Sequence, residues 1–385
     1  MPDVAIAGLP LDYPHSGTAS YLRHLLERLP GAGPDLAFRL YLRESHGYGF
    51  RIRSAHLQTP FRRLNHGSGV GARLDKLAWE IGSFPLATTR DDASLLHFPY
   101  FAAPLVSRAP VVVTIHDVIP LVLPDYHRGR SSLLYARFMT KAVRRAAAII
   151  TVSEYSRRDI LCTVDVPPER VFVTPEAADP ECTLVAEAGE REGLRAKYGL
   201  PARYFLYLGS AEKRKNLAML VEAWATVRRG MTKLGIGLVI VARFPPPDTL
   251  YPDIPGFVHR HGLGESVHLV PSVSAADKPA LYRQALGFCF PSTYEGFGLP
   301  PIEAMACGTP VLCSSATSLP EVVGDAACLL DPANTEGWGA AMVKLADDER
   351  LRDELRRRGL IRAAQFSWQR TAAETVNVYR HVLGQ

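Results

Sequence analysis

Short apolar runs alternate with longer segments of helical periodicity along most of the 385-residue chain. Val4–Gly8 and Val111–Ile115 have the length and composition of buried strands, whereas Ala19–Leu29 carries leucines at helical spacing. This alternation predicts a parallel sheet covered by helices. In the first half it also predicts strands at Phe38–Leu42, Ser94–Phe98, Ala147–Val152 and Arg170–Thr174, and helices at Leu74–Ile81 and Ser131–Arg145.

The same pattern starts again after Pro175–Arg191, a polar passage rich in proline and acidic residues that suits an interdomain linker. The chain exceeds the size at which one hydrophobic core usually stops growing. We therefore predict an α/β fold with two doubly wound, Rossmann-like halves, residues 1–180 and 181–367. The second half is predicted to contain a helix at Asn216–Arg228 and strands at Tyr204–Leu208, Gly237–Val241, Val267–Val270, Gly287–Phe290, Thr309–Cys313 and Ala327–Leu330.

The formal net charge of +5 is small for this length and is spread along the chain, which argues against nucleic acid as a partner. Clustered basic charge attracts anions and anionic membrane surfaces, but exposed loops also carry it. One basic stretch, 51–76, therefore has three alternative interpretations. It can be a solvated loop, an anionic acceptor site or a membrane-surface patch. Its cationic residues are Arg51, Arg53, Arg62, Arg63, Arg73 and Lys76.

Several features favour a cytoplasmic protein. Asp3 lies where a signal peptide needs basic charge, and the apolar run after it is too short for a signal segment. No uninterrupted apolar stretch reaches the roughly 18 residues of a transmembrane helix. The six cysteines form no Cys-x-x-Cys pair, and several lie in apolar runs, as buried free thiols do. Peripheral contact with the inner face of the membrane stays open.

The segment most informative about chemistry is Phe288–Gly308, which predicts a strand, a glycine-containing turn and a helix. Glycines let the backbone approach a ligand closely, and a helix start offers unpaired N–H groups, so we expect phosphate at this turn. Glu295 and Glu303 bracket the turn and can accept hydrogen bonds from the two sugars of a nucleotide sugar, Glu303 from ribose and Glu295 from the transferred sugar. The alternative for Glu303 is a first-turn acid that complements the helix dipole. The turn itself consists of Gly296, Phe297, Gly298 and Leu299.

A second anion site is predicted at Gly209–Leu217, where three cations precede a helix start. Arg214 and Lys215 can neutralise a diphosphate leaving group without a metal ion. A solvated run of charge is the alternative. The position beyond a strand's carboxyl end favours binding.

Two weaker candidates lie in the first half. Gly17 follows the first strand and precedes its helix, where a backbone N–H can contact phosphate or sugar. His116 ends the strand Val111–Ile115 and can contact a hydroxyl of the donor sugar, although a histidine at a strand end is more often structural. No zinc-binding, nucleophile-elbow or Walker pattern is present, and we predict no metal and no separate cofactor.

These residues closely resemble glycosyltransferase family 4, whose hallmark is two glutamates around a Gly-Phe-Gly-Leu-Pro turn, as in Glu295–Glu303. The stretch Arg214-Lys215-Asn216 also resembles the sequence pattern of this family. Further matching stretches are Thr114–Asp117, Thr151–Ser156 and Ser318–Val322.

The resemblance implies a GT-B fold, in which two Rossmann-like domains face each other across a cleft and residues 368–385 pack back on the first domain. It also implies metal-independent transfer with retention of configuration. Arg214 and Lys215 would contact the diphosphate, Glu295 the donor sugar, Glu303 the ribose, and His116 the region of the sugar's 6-hydroxyl. The mannosyltransferase B-like subgroup is most similar, which suggests GDP-mannose, with a UDP-sugar as the other donor, and a glycan, lipid-linked or small-molecule acceptor.

The sequence differs from the pattern of the family at two places. The glycine pair of the family's first loop is Ser16-Gly17 here, so only Gly17 matches, and the Pro-Asn-Gly near the domain junction is Pro175-Glu176-Ala177. The alternatives to a transferase are a non-hydrolysing nucleotide-sugar epimerase of the same layout and a non-catalytic subunit that binds a nucleotide sugar. Acceptor-dependent product and donor turnover distinguish them.

Overall fold

The structure is a computed structural model that describes residues 1–14, 16–43, 49–57, 70–126, 130–186 and 189–385. The chain forms two compact units. Met1–Glu176 and Trp368–Gln385 make up the first unit, and Ala177–Ser367 make up the second. The chain passes between the units at Glu176, slightly before the predicted boundary at residue 180, and the final helix belongs to the first unit.

The first unit is a doubly wound α/β domain. Its strands are β1 (Asp3–Ala7), β2 (Ala37–Leu42), β3 (Arg53–His56), β4 (Leu95–Phe98), β5 (Val111–Ile115), β6 (Ala148–Thr151) and β7 (Val171–Val173). Within the described residues they form one parallel sheet in the order β3-β2-β1-β4-β5-β6-β7. The strand order reverses between β1 and β4, and ligands bind at such switch points in open α/β sheets.

Helices connect these strands. They are α1 (Gly17–Ala32), α2 (Val70–Ala78), α3 (Phe84–Arg90), α4 (Ile119–Val122), α5 (Arg130–Val143) and α6 (Glu154–Val164), with a π-helical turn, Trp79–Ser83, between α2 and α3. Helix α1 begins at Gly17 because the Ser16 side chain accepts a hydrogen bond from the backbone N–H of Ala19, at 3.1 Å. The predicted leucine stripe of this helix is buried.

The C-terminal helix, Trp368–Leu383, joins the first unit through a buried histidine. The hydroxyl of Tyr379 lies 2.7 Å from Nδ1 of His97, and Nε2 of the same ring lies 2.8 Å from the Thr114 hydroxyl. Burial lowers the pKa of His97 to about 3, so the ring is neutral near pH 7. A neutral imidazole donates through one nitrogen and accepts through the other, which suits this bridge between the helix and strands β4 and β5.

The second unit repeats the architecture. Its strands are β8 (Arg203–Leu208), β9 (Ile236–Val241), β10 (Val267–Val270), β11 (Gly287–Phe290), β12 (Val311–Ser314) and β13 (Cys328–Leu330). They form a parallel sheet in the order β10-β9-β8-β11-β12-β13, which reverses between β8 and β11. Its helices are α7 (Glu190–Tyr198), α8 (Leu217–Lys233), α9 (Ile254–Arg260), α10 (Lys278–Gln284), α11 (Leu299–Ala306), α12 (Leu319–Val323), α13 (Thr335–Asp347) and α14 (Glu349–Ala363).

The predicted strands are confirmed. They could be predicted because strands that are buried on both faces are continuous apolar runs in the sequence. One strand in the basic stretch was not predicted, whereas the helix predicted there is confirmed. Arg53–His56 forms an edge strand against β2, although it is polar and largely exposed, so backbone pairing rather than an apolar pattern places it. The helix predicted at Leu74–Ile81 is part of a helical segment running from Val70 to Arg90. Arg62 and Arg63 lie outside the described residues.

Two further observations concern the whole chain. In the part of the chain that the structure describes, no helix is both long and apolar enough to cross a membrane. All six cysteines are free thiols, and four of them are buried. The buried cysteines are Cys182, Cys289, Cys307 and Cys313.

Candidate active site

The predicted site in the second unit is assembled where β8 and β11 lie side by side. Because the two strands are parallel neighbours, the loops after them meet at the same edge of the sheet. The backbone N–H of Thr293 donates to the carbonyl of Arg214 at 2.7 Å, and the Asn216 side chain donates to the carbonyl of Pro291 at 3.3 Å. The two predicted anion-binding segments are therefore joined by one backbone–backbone and one side chain–backbone hydrogen bond.

A short 3-10 turn, Lys213–Lys215, presents the cations of the first loop. Asn216 ends the turn with φ +59°, a left-handed conformation that asparagine tolerates better than most residues. Its side chain also donates to the carbonyl of Pro332 at 2.8 Å, which fixes the turn against a second loop. Helix α8 starts at the next residue, Leu217.

Glu295 is clamped between the two predicted cations. Nζ of Lys215 lies 2.5 Å from Oε1 of Glu295, and Nη1 of Arg214 lies 2.9 Å from Oε2. Arg214 also donates to Glu212 at 2.9 Å and to the carbonyl of Tyr294 at 3.0 Å. Each carboxylate oxygen of Glu295 thus has its own cationic donor, and Glu295 and Lys215 are each 8% exposed.

Burial and charge act in opposite directions on this cluster. Burial alone would raise the pKa of Glu295, but the charges of Lys215 and Arg214 lower it below its ordinary value. Burial, helped by Arg214, lowers the pKa of Lys215, while Glu295 opposes the shift. The ammonium also lies 5.0 Å from the ring centre of Phe290. Two positive charges are therefore held at fixed positions in a low-dielectric environment, which strengthens their interaction with an arriving anion.

The glycine turn after Glu295 is fixed by the segment before α12. The backbone N–H of Glu295 donates to the Thr317 hydroxyl at 3.0 Å, and the Ser318 hydroxyl lies 3.0 Å from the carbonyl of Glu295. Gly298 has φ +113°, and a Cβ there would lie 2.6 Å from Leu319. Only glycine suits this position. Helix α11 starts directly after it at Leu299, and two residues of its first turn, Pro300 and Pro301, have no backbone N–H.

Glu303 lies in the second turn of α11, so its predicted first-turn position was wrong. The helix begins at Leu299 and has no acidic residue in its first turn, and the dipole explanation for Glu303 therefore fails. Glu303 is 7% exposed and is held by α10. Lys278 donates to its Oε1 at 2.8 Å, and the Tyr282 hydroxyl donates to its Oε2 at 3.1 Å. The ammonium of Lys278 neutralises a carboxylate that would otherwise repel a diphosphate.

The remaining candidates lie in the first unit. Gly17 is the exposed first residue of α1, and a Cβ there would meet no atom within 4 Å, so sterics alone do not require glycine. His116 follows β5, and its ring packs edge-on against Tyr21 of α1, with 4.7 Å between ring centres. Gly17 is therefore part of α1, and His116 packs against the same helix.

The structure thus brings Arg214, Lys215 and Glu295 into one cluster and places the turn from Gly296 to Leu299 directly after it. The roles proposed for these residues and for Glu303, Gly17 and His116 stay predictions. Lys278 and Tyr282 were not predicted from the sequence, where their only signal is their i, i+4 spacing on one helix. Among the described residues, no group of three or more histidine, cysteine or acidic side chains is placed to hold a metal ion.

Two parallel sheets, each flanked by helices, with a charged cluster at the switch point of the second, define the GT-B class. Solved GT-B structures agree over the whole chain. Sucrose-phosphate synthase from Thermosynechococcus elongatus matches with a TM-score of 0.74 and 21% identity, covering 100% of both chains. HepE from Anabaena, solved in complex with UDP and glucose, matches with a TM-score of 0.74 and 18% identity over 99% of this chain and 100% of that one. At these identities the likeness shows the fold alone.

Sequence comparison gives the family. Residues 15–182 match the family model described as Glycosyltransferase Family 4, and residues 190–362 match Glycosyl transferases group 1. O-antigen chain mannosyltransferase B from Escherichia coli is 31% identical over 98% of this chain and 99% of its own length. The chain is a glycosyltransferase and belongs to glycosyltransferase family 4.

Proposed function

We propose that this chain is a retaining, metal-independent hexosyltransferase that moves mannose from GDP-mannose to a hydroxyl of a glycan or lipid-linked acceptor. The observation that carries the proposal is the cluster of Arg214, Lys215 and Glu295 at the switch point of the second sheet. Family membership supplies the reaction type, and the mannosyltransferase relative supports mannose. A UDP-sugar is the alternative donor.

The proposed donor site has three parts. The diphosphate binds beside the ammonium of Lys215 and the guanidinium of Arg214, at the positive end of the α11 helix dipole. The ribose hydroxyls donate to Glu303, whose orientation Lys278 and Tyr282 fix. The transferred sugar lies on the Glu295 side of the diphosphate. This order follows from the positions of the two glutamates on either side of the glycine turn.

In the proposed reaction, the bond between the sugar's anomeric carbon and the phosphate oxygen breaks. A bond to the acceptor oxygen forms on the same face, and the departing phosphate takes the acceptor's proton. Arg214 and Lys215 stabilise the negative charge that develops on the phosphate. Glu295 is a poor candidate for an enzyme nucleophile, because each of its oxygens already accepts from a cation. Positioning and fixed charge are therefore the main contributions of the protein.

A panel of nucleotides tests the donor. We expect GDP and GDP-mannose to raise the unfolding temperature of the purified chain more than UDP and UDP-glucose do at the same concentration, because a ligand that binds only the native state stabilises it more the smaller its Kd is. Better stabilisation by UDP would contradict the mannosyl assignment. Product analysis with and without a soluble mannoside acceptor then separates transfer from epimerisation, and absence of donor turnover with an acceptor that the relatives use would favour a binding subunit.

The ribose contact gives a separate prediction. Glu303→Gln is expected to weaken GDP binding by about 10-fold to 100-fold, in line with losing a hydrogen bond to a charged group. The same variant is expected to lose the preference of the wild-type chain for GDP over 2′,3′-dideoxy-GDP. Isothermal titration calorimetry measures both quantities. The control is Glu336→Gln, an exposed glutamate in the first turn of α13, which should change neither. Unchanged discrimination in Glu303→Gln would place the ribose elsewhere.

A further inference from the structure

Glu176 lies against His116, the candidate histidine of the first unit. Its Oε1 lies 3.0 Å from Nδ1 of His116. Nε2 of the same ring lies 3.3 Å from the carbonyl oxygen of Pro99. Glu176 is 5% exposed and is the last residue of the first unit before the chain enters the second.

The two partners of the ring define its protonation state. A carboxylate and a carbonyl only accept hydrogen bonds, whereas a neutral imidazole donates through one nitrogen only. Both contacts are satisfied when both ring nitrogens carry a proton, which makes His116 a cation. A buried carboxylate also needs a positive partner. In the described part of the chain, no lysine or arginine forms an ion pair with Glu176, and His116 is its partner.

The other groups around His116 agree with a positive ring. Asp117, the next residue, adds negative charge, and Tyr21 of α1 presents its ring rather than its hydroxyl. His97 on β4 is neutral, since both of its nitrogens are used by Thr114 and Tyr379. Burial alone would lower the pKa of His116, but Glu176 and Asp117 raise it above its ordinary value.

We propose that Glu176 is a positioning residue that holds His116 as an imidazolium, so that its Nε2–H donates to a sugar hydroxyl of the substrate during transfer. The Nδ1 proton is committed to the shorter contact with Glu176. The contact of Nε2 with the Pro99 carbonyl is the longer and weaker one, so the Nε2–H is the proton that a substrate oxygen can share with or accept in place of that carbonyl. A charged donor makes a stronger hydrogen bond than a neutral one. The proposed contact with sugar rests on the function proposed above, whereas the charge state of His116 does not.

The raised pKa of His116 determines how activity should change with pH. A histidine whose pKa is raised carries its proton up to a higher pH and loses the proton as the pH rises through that value. Activity that needs the imidazolium must therefore fall on the alkaline side. Replacing Glu176 with a neutral side chain removes the main group that raises the pKa of His116, so the fall must begin at lower pH.

The experiment combines two readouts on the full chain. Ring ¹⁵N chemical shifts of His116, followed by NMR against pH, report its protonation without any substrate. The alkaline limb of kcat/KM with GDP-mannose reports its use in transfer. For Glu176→Gln and Glu176→Asn we expect both midpoints to move to lower pH by about one to two units, the usual effect of removing a neighbouring opposite charge. The matched control is Glu169→Gln, an exposed glutamate, which should move neither midpoint.

The possible results distinguish the charge state of His116 from its role in transfer. A His116 ring that is neutral at pH 7 in the wild-type chain would overturn the charge assignment, whatever the enzyme's activity. An NMR midpoint that moves in Glu176→Gln while the alkaline limb stays in place would overturn the role of His116 in transfer. Circular dichroism and nucleotide-induced stabilisation show that each variant is folded, and the second variant, Glu176→Asn, guards against a first one that does not fold.

Discussion

Lys215→Met is expected to lower kcat/KM for sugar transfer by about 100-fold to 1,000-fold, the cost of removing one preorganised donor from a developing negative charge. Lys215 is 8% exposed, and Glu295 and the ring of Phe290 hold its ammonium in place. Such a charge needs little reorganisation when the phosphate departs. Most of the loss should appear in kcat, because charge on the leaving group grows toward the transition state.

The control for this variant lies two residues earlier. Lys213 belongs to the same 3-10 turn but is exposed. Lys213→Met therefore removes one positive charge, as Lys215→Met does, but leaves the cluster of Lys215 and Glu295 intact. We expect its kcat/KM to stay within about twofold of the wild-type value, since exposed charges are screened by water and salt. Steady-state kinetics with GDP-mannose and a soluble acceptor measure both variants. Full turnover by Lys215→Met would remove the proposed role of the cluster.

Glu295→Gln is expected to destabilise the second unit by about 3 kcal/mol, because removing one partner of a buried ion pair leaves the other charge uncompensated. The charge left behind is Lys215, whose pKa burial already lowers. The same variant should lose most transfer activity. Denaturant unfolding followed by tryptophan fluorescence is suitable, since Trp224 and Trp338 are buried in this unit.

A double variant separates stability from catalysis. Glu295→Gln combined with Lys215→Met removes both charges of the pair, and we expect it to recover a substantial part of the lost stability. Transfer activity should stay as low as in the worse single variant, since both residues act on the same donor. Recovery of activity along with stability would show that the cluster supports only the fold.

Much of the architecture could be predicted from the sequence for a physical reason. Strands such as Val111–Ile115 and Gly287–Phe290 are buried on both faces, and their apolar runs are therefore local signals. The position of Gly298 was also predictable, because the turn into α11 needs a backbone conformation that side chains disfavour. Arg53–His56 was not, since its residues are polar and it is placed by backbone pairing with the preceding strand, β2, rather than by an apolar run.

The contacts within the site were harder to predict than its members. Arg214, Lys215 and Glu295 could be selected by type and position, but the direct clamp of Glu295 depends on the pairing of β8 with β11. Lys278 meets Glu303 only because α10 packs beside α11. Glu176 meets His116 across 60 positions of sequence. Each of these contacts is created by tertiary packing, for which a single sequence contains no local pattern.

The most direct test of the donor site is a crystal structure of the chain with bound GDP-mannose. We predict diphosphate oxygens within hydrogen-bond distance of Nζ of Lys215 and the guanidinium of Arg214, and ribose hydroxyls on Glu303. A nucleotide bound with its diphosphate away from these cations, and far from both glutamates, would contradict the proposed site.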